Sequence, residues 1–179
     1  MSLDVFGASL TKKKVHLGLT EACCTTCYTG DFLRKFIDYP EWGVVFACVQ
    51  KCEGLLEEIK ETGCGTLHLN FANAGPDYNA TKKGRIADII VKAAKEANIP
   101  VTWNGELDSC IVISLNLNDF REDQPRGRAM LKFKKLVDEG NDVWSSSVFG
   151  TGQPKSLRLS NPDLIGESLC HSTCTPGGV

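Results

Sequence analysis

The chain has 179 residues, of which 42% are hydrophobic and 23% charged, and its 20 basic and 22 acidic residues leave a net charge of −2. These proportions fit one folded domain with its own core and exclude disorder throughout. The charge balance gives no broad electrostatic footprint for nucleic acid, and no apolar run approaches the roughly 20 residues of a membrane-spanning helix, so neither partner is expected.

The first residues, MSLDVFGASLTKKK, lack the apolar centre of a signal peptide, so a cytoplasmic location is expected. There the nine cysteines would be mostly reduced thiols. Their odd number also argues against a complete disulfide framework. The run Lys12-Lys13-Lys14 reads as a solvated lead-in to a strand rather than a binding patch. VHLGL, at 15–19, then alternates as a half-buried strand, with Val15, Leu17 and Leu19 on one side and His16 on the other. The cysteine-rich ACCTTC follows at its exit. A short helix is expected to start at Gly30-Asp31, with Asp31 as N-cap, and to end at Pro40.

GVVFAC, at 43–48, reads as an interior strand covered on both faces. A helix over 51–62 follows, because Cys52, Leu55, Leu56 and Ile59 recur at helical spacing and Gly63 can cap its end. TLHLNFA alternates strictly, with Leu67, Leu69 and Phe71 inward and His68 and Asn70 outward. After a turn-rich loop, Thr81 is the expected cap of a helix over 82–98, whose stripe is Ile86, Ile89, Ile90, Ala93, Ala94 and Ala97. IPVTW and CIVISLNL, joined by the short turn NGELD, predict an antiparallel hairpin. The last helix is expected over 123–139, with Ala129, Met130, Phe133, Leu136 and Val137 inward and Gly140 as its stop. Beyond it the sequence turns rich in Ser, Gly, Pro and Asn, with room for edge strands at 143–149 and 157–159.

Strands and helices in this order predict a layered α/β (α+β) single domain: a mixed, partly antiparallel sheet flanked by helices. Residues 1–142 form the domain, and 143–179 form a C-terminal extension that packs on it or is partly flexible.

The stretches CCTTCY, GVVFACVQKCE, GTLHLNFA and IADIIVKAAKEANIPVTWNGELDSCIVI stand in a telling order. Together, over about 15–117, they resemble an uncharacterised, mostly bacterial domain family of unknown function. That family carries a CCxxC motif followed by GxVFxxxQxxE and VxWxG strands. The resemblance implies a shared fold and draws weight onto Cys23, Cys24 and Cys27, and it implies no activity. The sequence departs from the family pattern at Tyr28, where glycine is usual, and at Lys51, where an acid is usual.

Cys24-Thr25-Thr26-Cys27 is a CxxC, a spacing that lets two sulfurs face one ion or form a redox pair, and Cys23 adds a third thiol. Zinc is the default metal for thiolates in a reducing compartment. A fourth ligand would come from the Cys170-His171-Ser172-Thr173-Cys174 tail, through Cys170, His171 or Cys174, from His16 or His68 if their strands are neighbours, from a water or substrate, or from nowhere. The competing readings are a thiol redox protein using Cys24 and Cys27, and an interaction domain with buried, inert cysteines. Glu53, near a strand-to-helix junction, is a candidate general base or ligand, or simply an acid favoured by the helix dipole. Cys48 and Cys52 read as core, Cys64 as a turn residue and Cys110 as half-buried. No P-loop, dinucleotide fingerprint, HExxH or GxSxG occurs. Reaction, substrate and oligomeric state are not written in these motifs.

Overall fold

A computed structural model describes residues 2–22, 38–74 and 79–140, with 25, 26, 28, 30 and 36 between them. The chain opens with a helix, α1 (Leu3–Lys12), and runs through β1 (Val15–Leu19), β2 (Gly43–Ala47), α2 (Val49–Thr62) and β3 (Cys64–Asn73). It continues through α3 (Ala80–Glu96), β4 (Val101–Thr102), β5 (Ile111–Asn116), a 3-10 turn (Leu117–Asp119) and α4 (Pro125–Asp138). The five strands form one sheet in the order β1-β2-β3-β5-β4. β1 and β2 are parallel and every other pairing is antiparallel. The expected mixed sheet flanked by helices is therefore the observed architecture.

β3 is the long central strand, and its two halves have different partners. Residues 70–73 pair with β2, and 64–69 pair with β5 on the other side. Beyond the end of β2, α2 runs beside β3. There the Glu58 carboxylate accepts from Thr66 N at 2.7 Å and from Thr66 Oγ1 at 2.9 Å. A sheet edge that would otherwise be bare is thus closed by a side chain.

Alternation sorts the sheet into two faces. Leu17, Val45, Leu67, Leu69 and Ile113 join one core with the buried stripes of α1, α2, α3 and α4. On the other face Val44 and Phe46 pack with Ala22, Tyr28, Phe36 and Ala74 in a smaller core. This second layer covers β1, β2 and, through Ala72, the end of β3, while the outward residues Thr66, His68, Asn70, Val112 and Ser114 of β3 and β5 keep some exposure. VHLGL is accordingly buried along its whole length rather than half-buried, because Phe36 and Tyr28 shield the face of His16 and Gly18.

Some boundaries move for local reasons. Asn79, not Thr81, caps α3, its side chain accepting from Lys82 N at 2.8 Å. β4 stops at Thr102, and the Trp103 indole instead donates to Glu106 O at 3.1 Å within the turn. β5 ends where Asn116 makes a capping box with Asp119. Thr25, Thr26, Tyr28 and Gly30 have helical backbone, so helical structure begins ahead of the expected Gly30-Asp31 start. Most of 31–37 and all of 141–179 lie outside the described residues, the C-terminal extension included.

Candidate functional site

The C-terminal ends of the parallel pair β1–β2 form the sheet end where α/β proteins commonly place their chemistry. Here the chain leaves β1 through Thr20, which takes a left-handed φ of 57° and donates its N–H to Ala47 O at 3.2 Å. Val49, the first residue of α2, donates back to Ala22 O at 3.0 Å. The segment carrying CCTTC is therefore tied at its start to the junction of β2 and α2. Cys23, Cys24 and Cys27 themselves lie outside the described residues, as do Cys170, His171 and Cys174.

Thr25, between those cysteines in sequence, connects to a polar cluster on the open face of the sheet. Asn70 Nδ2 donates to Thr25 Oγ1 at 3.1 Å. Asn70 Oδ1 accepts from the Cys110 thiol at 3.0 Å and from Lys51 Nζ at 3.2 Å. Lys51 Nζ also lies 3.5 Å from Cys110 Sγ. The sheet register explains the meeting. Leu69 pairs with Ile111, so one step further Cys110 stands across from Asn70. Lys51, in the first turn of α2, reaches round the end of β2 to both.

The arrangement has chemical content. The Lys51 ammonium stands beside the sulfur of Cys110, a residue type whose thiolate is its nucleophilic and metal-binding form. The Asn70 carboxamide holds ammonium and thiol together through one oxygen, and its amide nitrogen reaches the cysteine segment. The other described cysteines differ. Cys48 and Cys52 are buried, Cys64 is exposed, and burial pushes the Cys52 thiol up to about 12.

The remaining sequence candidates separate from this cluster. Glu53 sits in the second turn of α2, which starts at Val49, so it is not a first-turn acid. It lies two residues beyond Lys51, roughly 200° round the helix. His16 and His68 do not face one another, because β2 lies between their strands. His16 packs on Phe36, with ring centroids 5.7 Å apart, and its Nε2 is 3.3 Å from Glu21 Oε2. That is a buried, partnered histidine. His68 is exposed on the face that carries Asn70. Among the described residues, no three His, Cys, Asp or Glu side chains gather as a metal site.

Sequence reading missed the part played by Lys51 and Asn70. Lys51 stood out only as a departure from the resembled family, and Asn70 only as an outward position. Tyr28, the other departure, stacks on Phe46 with ring centroids 4.2 Å apart and planes 7° from parallel. Among the described residues no helix is long and apolar enough to cross a membrane. No family model, curated protein or solved structure matches this chain.

Proposed function

We propose that this protein is a thiol-dependent protein with its centre at the end of the sheet where Lys51, Asn70 and Cys110 meet the CCTTC segment. The supporting observation is the Lys51 ammonium 3.5 Å from the Cys110 sulfur, with Asn70 linking both to Thr25. The chemistry this favours is thiol–disulfide exchange with a disulfide-bearing substrate. The Cys110 thiolate attacks one sulfur of the substrate, a mixed disulfide forms, and the other sulfur leaves as a thiolate that takes up a proton. A thiol of Cys23, Cys24 or Cys27 then attacks Cys110 in the mixed disulfide and releases the second substrate thiolate. The protein ends oxidised and the substrate reduced. The resemblance to the CCxxC family is part of this proposal and lends it no activity.

Zinc held by Cys23, Cys24 and Cys27 is the second reading. What favours it is the fourth sulfur that Cys110 offers, linked to Thr25 through Asn70, together with a cation suited to offset the negative charge of a thiolate-rich site. Metal analysis of the reduced protein, with timed alkylation of its thiols in native buffer, separates the two. The exchange reading expects no stoichiometric metal and rapid alkylation of Cys110, slowed roughly tenfold in Lys51→Met. Near-stoichiometric zinc that is lost in Cys110→Ser would instead support the metal reading. A metal-free protein whose Cys110 reacts no faster than Cys64, with or without Lys51, would overturn both and leave the interaction domain with structural cysteines.

A further inference from the structure

At the opposite end of β1 and β2 from the thiols, the fold gathers cations from two distant stretches. Lys13 and Lys14 follow α1, and Lys82 and Arg85 lie in the first two turns of α3. With Glu41 they line one groove of about 510 Å³. Four cations thus face one carboxylate, in a chain whose net charge is −2. Val15, Ile86 and Ile89 give the groove apolar wall. Gly43 sets how closely α3 approaches, since a Cβ there would come within 2.6 Å of Ile86 Cδ1.

The placement of charge on α3 runs against its dipole. A helix N-terminus carries partial positive charge and favours acids. α3 has no acid in its first turn and carries Lys82, Lys83 and Arg85 near its start. Lys83 turns away, with its Nζ 3.5 Å from Asp108 Oδ1 and 5.3 Å from the centre of the Phe71 ring. Lys82 has a backbone carbonyl, Ala74 O, at 3.4 Å, and Arg85 is exposed with no ion pair among the described residues. Lys13 pairs with Glu96 at 3.2 Å and Lys14 with Glu41 at 3.4 Å. The Glu41 carboxyl is held below the usual carboxylate range by its own backbone N–H, and further by Lys14 and Lys82. A carboxylate is thus already seated among these cations. Cations gathered at a helix N-terminus run against its dipole, and a bound anion is a physical reason for them.

We propose that this groove binds a small molecule carrying a phosphate or diphosphate on an apolar or aromatic body. The anion meets Lys14, Lys82 and Arg85, displacing the Glu41 carboxylate, and the body lies against Val15, Ile86 and Ile89. The volume is that of a small-molecule site, with apolar wall and a few convergent polar groups.

Calorimetric titration of the full chain with inorganic pyrophosphate and with ADP tests this. Both bind, and ADP binds tighter because its ring adds apolar contact. Lys14→Gln/Arg85→Gln weakens both by about tenfold or more, the loss of charge-assisted hydrogen bonds. Lys83→Gln, one residue from Lys82 but turned to Asp108, leaves binding unchanged. Glu41→Gln, which removes the competing carboxylate, tightens it. No binding of either probe at millimolar concentration would overturn the proposal. So would an equal loss in Lys83→Gln, which would mark a diffuse charge effect, or weaker binding in Glu41→Gln. ADP binding no tighter than pyrophosphate would overturn the apolar half of the site.

Discussion

Cys52 and Cys110 show how little residue type says about cysteine chemistry. Cys52 lies on the inward stripe of α2, its sulfur 3.8 Å from Ala47 O, and burial pushes its thiol up to about 12. A thiol there is a small apolar side chain and is inert as a nucleophile. In native buffer at pH 8 it should stay unmodified by iodoacetamide while Cys110 is alkylated, which mass mapping of the digested protein would read. Cys52→Ser should cost about 1–3 kcal/mol in a urea melt, because the hydroxyl is buried with poor hydrogen-bond geometry. The position of Cys52 was legible in the sequence, since i, i+3, i+4, i+7 spacing is a local signal. The contacts of Cys110 were not. They depend on which strand the hairpin joins and in what register, and both are set by packing of segments some 40 residues apart.

At the scale of elements, α2, α3 and α4 were legible because each carries a long apolar stripe. α1 was not expected, although Leu3, Phe6 and Leu10 are buried at helical spacing behind a Ser2 cap. Gly7, Ser9 and Thr11 lower its intrinsic propensity, and so short a helix is stable only when packed. The packing is specific. Asp4 is 6% exposed, and its carboxylate accepts from Arg126 N at 2.8 Å and Gly127 N at 2.9 Å, capping α4 from another element. Gly7 leaves room for the Arg126 side chain, which a Cβ would overlap. Asp4→Ala leaves two helix-terminal N–H groups without their acceptor and should cost about 2–4 kcal/mol, with Asp4→Asn between it and the wild type. Denaturant midpoints measure this, and a loss within error of zero would mean that α1 docks without its cap.

Glu58 supplies the pH dependence of another junction. The Thr66 N–H first, then the Thr66 hydroxyl and nearby His68, hold its carboxyl below the ordinary 4.5. A carboxylate whose folded value is depressed stabilises the fold above the unfolded value. That contribution fades as pH falls below 4.5 and through the folded value. The stability gap between wild type and Glu58→Gln should therefore be widest near neutrality and close as pH falls below the ordinary 4.5 and through the lower folded value. Thermal midpoints across that range would show it. A gap independent of pH would mean that the Thr66 contacts do not depend on the charge.

At the scale of the whole molecule, layered α/β architecture was legible from the order of elements, but the difference between the two faces was not. Nothing local in VHLGL says that both faces are covered. The cover comes from Tyr28, Phe36 and Trp42, which reach back over β1 and β2. Gly18 makes this possible, since a Cβ there would overlap the Tyr28 hydroxyl. The same pair offers a test of the second layer as a unit. Gly18→Ala forces Tyr28 off Phe46 and should destabilise by about 1–3 kcal/mol or more through overpacking. Tyr28→Ala loses the stacked ring and leaves a cavity, at about 3–5 kcal/mol. Because both changes act on one contact, their costs should not add. With Tyr28 already truncated, the new Cβ at residue 18 meets space, and the double variant should be little less stable than Tyr28→Ala alone. Urea unfolding of the four proteins closes the cycle. Additive costs would show that the penalty at Gly18 arises elsewhere, and that Tyr28 does not hold the outer layer to β1.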